Sequence, residues 1–130
     1  MMRLVIIDSD RDFTERVVEE ARFAGDVDVV AVLHDDEHAL ATVKCTAAHL
    51  ALVRVVSPAI DGLEVIRQLH DETPDVKIFV TALPAEEKLL PKAVELGAHY
   101  CIIRPFDIPT LLRRMRQFVA TGPAALAIND

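Results

Sequence analysis

Five short runs of apolar and mostly β-branched residues recur along the chain. Each run is continuously hydrophobic rather than alternating, which is typical of parallel strands buried on both faces of a sheet. The runs predict strands over residues 3–8, 27–33, 50–56, 76–82 and 100–105.

The segments between these runs have the apolar spacing of amphipathic helices. The first places Phe13, Val17, Ala21 and Ala24 on one stripe and ends at Gly25. Four more helices are predicted over residues 35–45, 62–73, 92–98 and 107–120.

Prolines and acids set several of the helix boundaries. Pro91 would remove a hydrogen bond from a continuous helix over 84–97, so we expect a turn over 84–90 and a new helix near Pro91. Asp107 is the expected N-cap of the last helix, with Pro109 in its first turn.

Alternation of strand and helix, repeated five times, predicts an α/β fold with a doubly wound parallel sheet covered by helices on both faces. We expect one domain over residues 1–121. Residues 122–130 lack periodicity and are interpreted as a linker stub or a frayed tail.

The composition and charge of the chain are typical of some classes of protein and argue against others. The chain has 130 residues, of which 52% are hydrophobic and 27% charged, as in globular domains. A net charge of −7 argues against direct nucleic-acid binding. No apolar run approaches a membrane span, no signal peptide is evident, and Cys45 and Cys101 form no disulfide or metal pattern. We therefore expect a soluble cytoplasmic domain.

Arg54 interrupts an apolar run and needs a partner or an exit to water. An unpaired charge in an apolar interior costs several kcal/mol. Strands in such sheets present their functional groups beyond their carboxyl ends, where Asp8 ends the neighbouring strand. Asp8 is the favoured partner of Arg54; the alternative is an edge residue with a buried stem and a solvated head.

Four stretches in this order resemble the receiver (CheY-like) domain of two-component response regulators. They are "LVIIDSD", "LALVRVVSPAIDGLEVIRQL", "IFVTA" and "LGAHYCIIRPFDIPTLL". The resemblance covers residues 3 to about 119 and implies a flavodoxin-like sheet of order 2-1-3-4-5 with five helices. It also implies signalling rather than catalysis.

The resemblance implies a phosphorylation pocket that is degenerate here. In the family, two acids after the first strand hold Mg²⁺, and an Asp near the end of the third strand accepts a phosphoryl group. Only Asp8 and Thr81 match; Ser9 replaces the second acid, Arg104 replaces a Lys, and Arg54 stands at the phosphoacceptor position. A guanidinium is no phosphoryl acceptor, so the chain resembles an atypical pseudo-receiver.

Two further departures concern charge and the switch residue. Asp8, Arg54 and Arg104 would give the pocket a charge of about +1, so we expect neither a metal nor another cofactor. Cys101 occupies the position of the family's inward-turning aromatic, with Tyr100 one residue earlier.

Other candidate sites have simpler interpretations. Asp10 and Asp12 fit a helix start better than a metal site. His34 and His38 have the spacing of a helical metal pair, but His34 is expected to end a strand and no third ligand is evident.

A protein interface is a further hypothesis, with a solvated charged face as its alternative. Receiver-like domains pair through the fourth helix, fifth strand and fifth helix. There, acidic Glu86, Glu87 and Glu95 would complement basic residues, namely Arg113, Arg114 and Arg116.

Three function classes remain open. The favoured one is a regulatory module that works by phosphorylation-independent contacts with a protein partner or a fused effector domain. The second is a receiver controlled chemically by an anion at Arg54 and Arg104, or through Ser9 or Asp61. The third is an enzyme on the same architecture, against which stands the lack of a Gly-rich loop or a nucleophile–base pair.

Overall fold

Five parallel strands form the central sheet of the computed structural model, which describes residues 1–121. They are β1 (Met2–Ile7), β2 (Val27–Leu33), β3 (Leu50–Arg54), β4 (Lys77–Ala82) and β5 (Tyr100–Ile103). Their order is β2-β1-β3-β4-β5, and every neighbouring pair is parallel. The predicted doubly wound fold and its strand order are confirmed.

Five helices connect the strands. They are α1 (Arg11–Ala24), α2 (Ala39–Cys45), α3 (Gly62–Glu72), α4 (Leu90–Leu96) and α5 (Ile108–Thr121). A 3₁₀ segment, Pro84–Leu89, precedes α4, so Pro91 falls in the first turn of a new helix as expected. Within residues 1–121, no helix has the length and apolarity needed to cross a membrane.

Two local expectations were wrong. The helix predicted from residue 35 begins at Ala39, because the acids at 35–37 lie in the preceding turn. Residues Val56–Ser57 and Ile60–Asp61 pair as a small antiparallel hairpin that was not predicted. Two-residue strands are too short to leave a hydrophobic period. The interpretation of residues 122–130 lies outside the described residues.

Both ends of α1 and the start of α5 are capped by the residues predicted to cap them. Asp10 accepts a hydrogen bond from the backbone N–H of Phe13 at 3.1 Å, and Asp107 accepts one from that of Thr110 at 3.1 Å. Gly25 ends α1 with a φ of 83°. Ala24, predicted on the buried stripe, is exposed, and Thr14 is buried instead.

The sheet separates two hydrophobic cores. One contains β-strand residues packed on α1 and α5, including Leu4, Ile6 and Phe79. The other lies against α2, α3 and α4, with Val5 and Ile7 from the same first strand. Because side chains alternate along a strand, each strand supplies both cores. This alternation also determines the face of the sheet on which the side chain of each strand-end residue lies.

Gly62 brings the start of α3 against the backbone that leads out of β3. A Cβ at this position would lie 2.2 Å from the carbonyl oxygen of Arg54 and 2.4 Å from that of Val55. Neither oxygen belongs to a flexible side chain. The close approach therefore requires glycine at position 62 and couples α3 to the end of β3.

Gly62→Ala is expected to lower the free energy of unfolding by about 3 kcal/mol or more, because backbone must move to admit the methyl group. Gly25→Ala is the matched control. Its Cβ would meet nothing within 4 Å, so only the strain at positive φ, about 1–2 kcal/mol, is expected. Urea unfolding measures both; an equal or smaller loss for Gly62→Ala would contradict the packing account.

Candidate functional site

Four predicted site residues meet at the carboxyl edge of the sheet. Arg54 and Thr81 are paired in register at the ends of β3 and β4. Asp8 directly follows β1, and Arg104 directly follows β5. All four have the same parity as strand residues that pack on α1 and α5, so their side chains start from one face of the sheet.

Arg104 forms the inner part of this site with Asp8 and Thr81. Its Nη2 donates to the Asp8 carboxylate and, at 3.1 Å, to the Thr81 hydroxyl. Asp8 is 1% exposed and Arg104 is 9% exposed, so the ion pair is buried. The side chain of Arg104 thus reaches from the edge strand β5, past the ends of β4 and β3, to the end of β1.

The guanidinium of Arg104 also contacts residues of α1. It stacks on the ring of Phe13, with Cζ 3.7 Å from the ring centroid, and lies 3.5 Å from the carboxylate of Asp10. Burial lowers the pKa of Arg104, while the charge and hydrogen bond of Asp8 oppose that shift. At any pH at which the domain folds, an Arg stays protonated, so the positive charge is permanent.

Arg54 pairs with Glu86, and the expected pair with Asp8 is wrong. Its Nε and Nη2 donate to the two Glu86 carboxylate oxygens at 3.1 and 2.8 Å, which is a bidentate arrangement. Burial by itself raises the pKa of Glu86. The hydrogen bonds from Arg54 and from the Leu83 N–H outweigh burial, so the pKa of Glu86 is lowered overall. The hydrogen bond to Glu86 raises the pKa of Arg54, with burial opposing.

Charge repulsion and side-chain reach explain why Asp8 pairs with Arg104 and not with Arg54. Asp8 offers one carboxylate, and two guanidinium groups drawn to it would repel each other. The guanidinium of Arg104 reaches Asp8 across the ring of Phe13. Arg54 therefore pairs with a carboxylate of the segment after β4. There the Glu86 carboxylate also accepts from the backbone N–H of Leu83 at 2.9 Å.

Glu86 is the site residue that sequence reasoning misplaced. It was assigned to an outer interface, yet only 17% of its side chain is exposed and it faces the pocket. The sequence did contain a signal that Glu86 belongs to the site: it lies five residues after Thr81, in the segment that leaves the carboxyl edge of the sheet. With Glu86 and Asp10 present, three carboxylates face two guanidinium groups, so the expected positive excess of about one charge is wrong.

The donor set does not fit the Mg²⁺ that the family resemblance implies. One Asp8 oxygen accepts from Arg104 and the other from the Asp10 N–H at 2.9 Å. Ser9, in place of an acid, donates to the Ser57 hydroxyl at 3.0 Å. A divalent cation here would have to displace a permanent guanidinium from a buried carboxylate.

Cys101 and Tyr100 lie on opposite sides of β5. Cys101 is buried among residues that pack on α3 and α4, and burial raises the pKa of its thiol to about 11. Tyr100 is buried on the other face, with its ring centroid 5.1 Å from that of Phe79 and 6.1 Å from that of Phe118. The two side chains belong to different cores, so neither replaces the other at the pocket.

The remaining predicted acids and histidines have structural contacts. Asp10 caps α1, and Asp12 lies 3.8 Å from Arg16 on the surface of the same helix. His34 follows β2, and its Nδ1 lies 3.0 Å from the backbone oxygen of Asp8. Across residues 1–121, no group of three or more His, Cys, Asp or Glu side chains is arranged to hold a metal ion.

The basic residues of α5 do not share one role. Arg116 pairs with Asp26 in the turn between α1 and β2, and its hydrogen bond lowers the pKa of Asp26. Arg113 is exposed, Arg114 is half-buried, and Glu95 of α4 is exposed beside Lys92 at 3.3 Å. Two members of the predicted interface, Glu86 and Arg116, are therefore engaged in ion pairs with other elements of the chain.

Residues 4–116 match the response regulator receiver domain family, and the chain belongs to this family. Its members act in two-component signal transduction and are in general signalling rather than catalytic domains. The matched range includes β2 to β5 in full and β1 from Leu4 onward.

Individual relatives agree with this assignment. The chain is 30% identical over 115 residues to the response regulator MprA of Mycobacterium avium, covering 88% of this chain and 50% of that protein. It thus spans about half the length of the curated relatives that it matches.

Solved structures agree in fold. The receiver domain of the response regulator NarL from Mycobacterium tuberculosis superposes with a TM-score of 0.83 at 21% identity, covering 92% of this chain and 97% of that one. The BeF3-activated DrrB receiver domain gives 0.77 at 24% identity, covering 92% and 99%. At these identities the similarity establishes the fold alone.

Arg104→Met is expected to lower the free energy of unfolding by about 3–5 kcal/mol, because it leaves Asp8 buried without its cation. Arg54→Met should cost less, about 1–2 kcal/mol, since Glu86 lies on a loop and turns readily to water. Urea unfolding gives both values.

The control for this comparison is the double variant Asp8→Asn/Arg104→Met, in which neither position of the Asp8–Arg104 pair carries a charge. It should lose less stability than Arg104→Met alone, while Asn keeps an acceptor for the Asp10 N–H. A double variant that is as unstable as Arg104→Met, or an Arg54→Met loss that exceeds it, would contradict the assigned pairs.

Proposed function

We propose that this domain is a pseudo-receiver that acts in signalling by protein–protein contacts without phosphorylation of its own pocket. The observation that carries the proposal is the bidentate pair between Arg54 and Glu86. It puts a permanent, neutralised cation where the family resemblance locates the phosphoacceptor, and no oxygen nucleophile is left at that position.

The paired groups also engage the residues that would respond to a phosphoryl group. The hydroxyl of Thr81 accepts from Arg104, and the Glu86 carboxylate holds the first turn of the segment Pro84–Leu89 through Leu83. Both contacts are internal and permanent. The β4–α4 segment thus has one favoured position, set by ion pairs instead of by a ligand.

A fixed surface suits recognition by a partner protein. The proposed partners are a fused effector domain or a separate protein. Support for the former is the greater length of the curated relatives. A homodimer through α4, β5 and α5 is a further proposal, supported by the exposed charges of Glu95 and Arg113 on neighbouring elements.

Incubation of the domain with acetyl phosphate and Mg²⁺ should add no phosphoryl group, because the acceptor position holds Arg54. Intact mass followed by peptide mapping measures this. A phosphoryl group within residues 49–65 would refute the proposal. One on Ser9 or another residue outside that range would instead favour chemical control at a site that the family does not use.

A rebuilt pocket tests the mapping onto the receiver site. Ser9→Asp/Arg54→Asp/Arg104→Lys should be less stable than the parent without metal, because its carboxylates repel, and should gain melting temperature with Mg²⁺ by mass action. The parent should show no Mg²⁺-dependent shift at about millimolar concentration.

The matched control is Ser9→Asn/Arg54→Asn/Arg104→Lys, which has similar shape without the added carboxylates. It should not respond to Mg²⁺. A metal response in the parent, or an equal response in the two triple variants, would mean that the acids at these positions do not form the metal site.

A further inference from the structure

Two histidines close the amino edge of the sheet in the same way. His49 precedes β3, and its Nδ1 accepts the backbone N–H of Arg3 in β1 at 2.9 Å. His99 precedes β5, and its Nδ1 accepts the backbone N–H of Ile78 in β4 at 3.0 Å. In both cases the histidine also donates its own N–H to the same partner residue, at 2.9 and 2.8 Å.

These bonds form a row across four of the five strands, β1, β3, β4 and β5. The backbone oxygen of His49 accepts from Lys77 at 3.0 Å, which joins the Arg3–His49 contact to β4, and Ile78 continues it to His99. A side-chain acceptor is needed twice in this row because the strands have not yet begun their regular pairing at these residues. Both acceptors are imidazoles.

An imidazole nitrogen accepts a hydrogen bond only while it carries no proton. Both contacts therefore require the neutral ring with Nδ1 unprotonated. Protonation of either ring turns the acceptor into a second donor that faces a backbone N–H. It removes the bond and places two donors against each other.

We propose that His49 and His99 form an acid-sensitive clasp, in which neutral rings hold the amino ends of β1 and β3, and of β4 and β5, together and protonation of either ring releases them. We call these two residues the histidine clasp. It lies at the edge of the sheet opposite to Arg54 and Arg104. The proposal is therefore independent of the pseudo-receiver function.

The surroundings of the clasp disfavour the charged rings. Burial lowers the pKa of His49, and the nearby charges of Arg3 and the N-terminal amine lower it further. Burial also lowers the pKa of His99, with Lys77 and His70 acting in the same direction. Arg3 on β1 and Lys77 on β4 thus both act against protonation of the ring that each lies near.

The remaining neighbour of His99 is uncharged. From α5, the ring of Phe118 lies 6.2 Å from the His99 ring in an edge-to-face arrangement. Since the folded pKa values lie below those of the unfolded chain, the unfolded chain binds more protons in mild acid. Stability is complete above about pH 6.5 and falls as the pH drops below it.

The first test compares urea midpoints at about pH 7.5 and about pH 5.5. His49→Asn/His99→Asn keeps an oxygen acceptor at the same reach but cannot titrate. The parent midpoint should fall in acid, and the double variant should lose less than half as much. His38→Asn, an exposed histidine, should behave like the parent. An equal fall in the parent and the double variant would overturn the proposal.

A second measurement uses the parent alone, in case the double variant does not fold. NMR titration should show both clasp rings as the Nε2–H tautomer at neutral pH, with pKa values below the ordinary value of a free imidazole, about 6.5. Exchange of the Arg3 and Ile78 amides should accelerate, relative to other strand amides, as the rings titrate. Rings that titrate at the ordinary value, with no change at these amides, would overturn the proposal.

Discussion

Two buried guanidinium groups at one edge of a parallel sheet are the constraint on which the site depends. Each needs a carboxylate within hydrogen-bond reach, because an unmatched charge at that depth would cost several kcal/mol. Asp8 satisfies Arg104, and the loop after β4 supplies Glu86 for Arg54. The position of that loop, the hydroxyl of Thr81 and the ring of Phe13 are all organised around these two pairs.

This arrangement leaves a site whose charges are matched from within the chain. A receiver pocket that gathers several carboxylates around a single Lys needs a metal ion to offset their repulsion. Here the counter-charges are covalently part of the domain and stay ionised at all relevant pH values. The family membership is established by the match over residues 4–116, whereas the role proposed above depends on the pairing of Arg54 with Glu86.

The two edges of the sheet use different chemistry for the same problem of unsatisfied groups at strand ends. The carboxyl edge is closed by permanent ion pairs, which pH changes near neutrality leave intact. The amino edge is closed by the rings of His49 and His99, which hold their bonds only when neutral. The proposed response to mild acid therefore belongs to the edge away from Arg54 and Arg104.

Local patterns in the sequence determined the fold and the contents of the site. Some features depend only on residues that are neighbours in sequence, so they can be predicted from it. They are the buried β-branched runs, the helix caps Asp10, Gly25 and Asp107, and the helix break at Pro91. Strand parity likewise brings Asp8, Arg54, Thr81 and Arg104 to one edge. Which cation takes Asp8 was decided only by tertiary structure. The side chain of Arg104 crosses two strands over Phe13. Glu86 turns inward from the 3₁₀ segment Pro84–Leu89, and its partner Arg54 is 32 residues earlier in the chain, so no local pattern shows the pair.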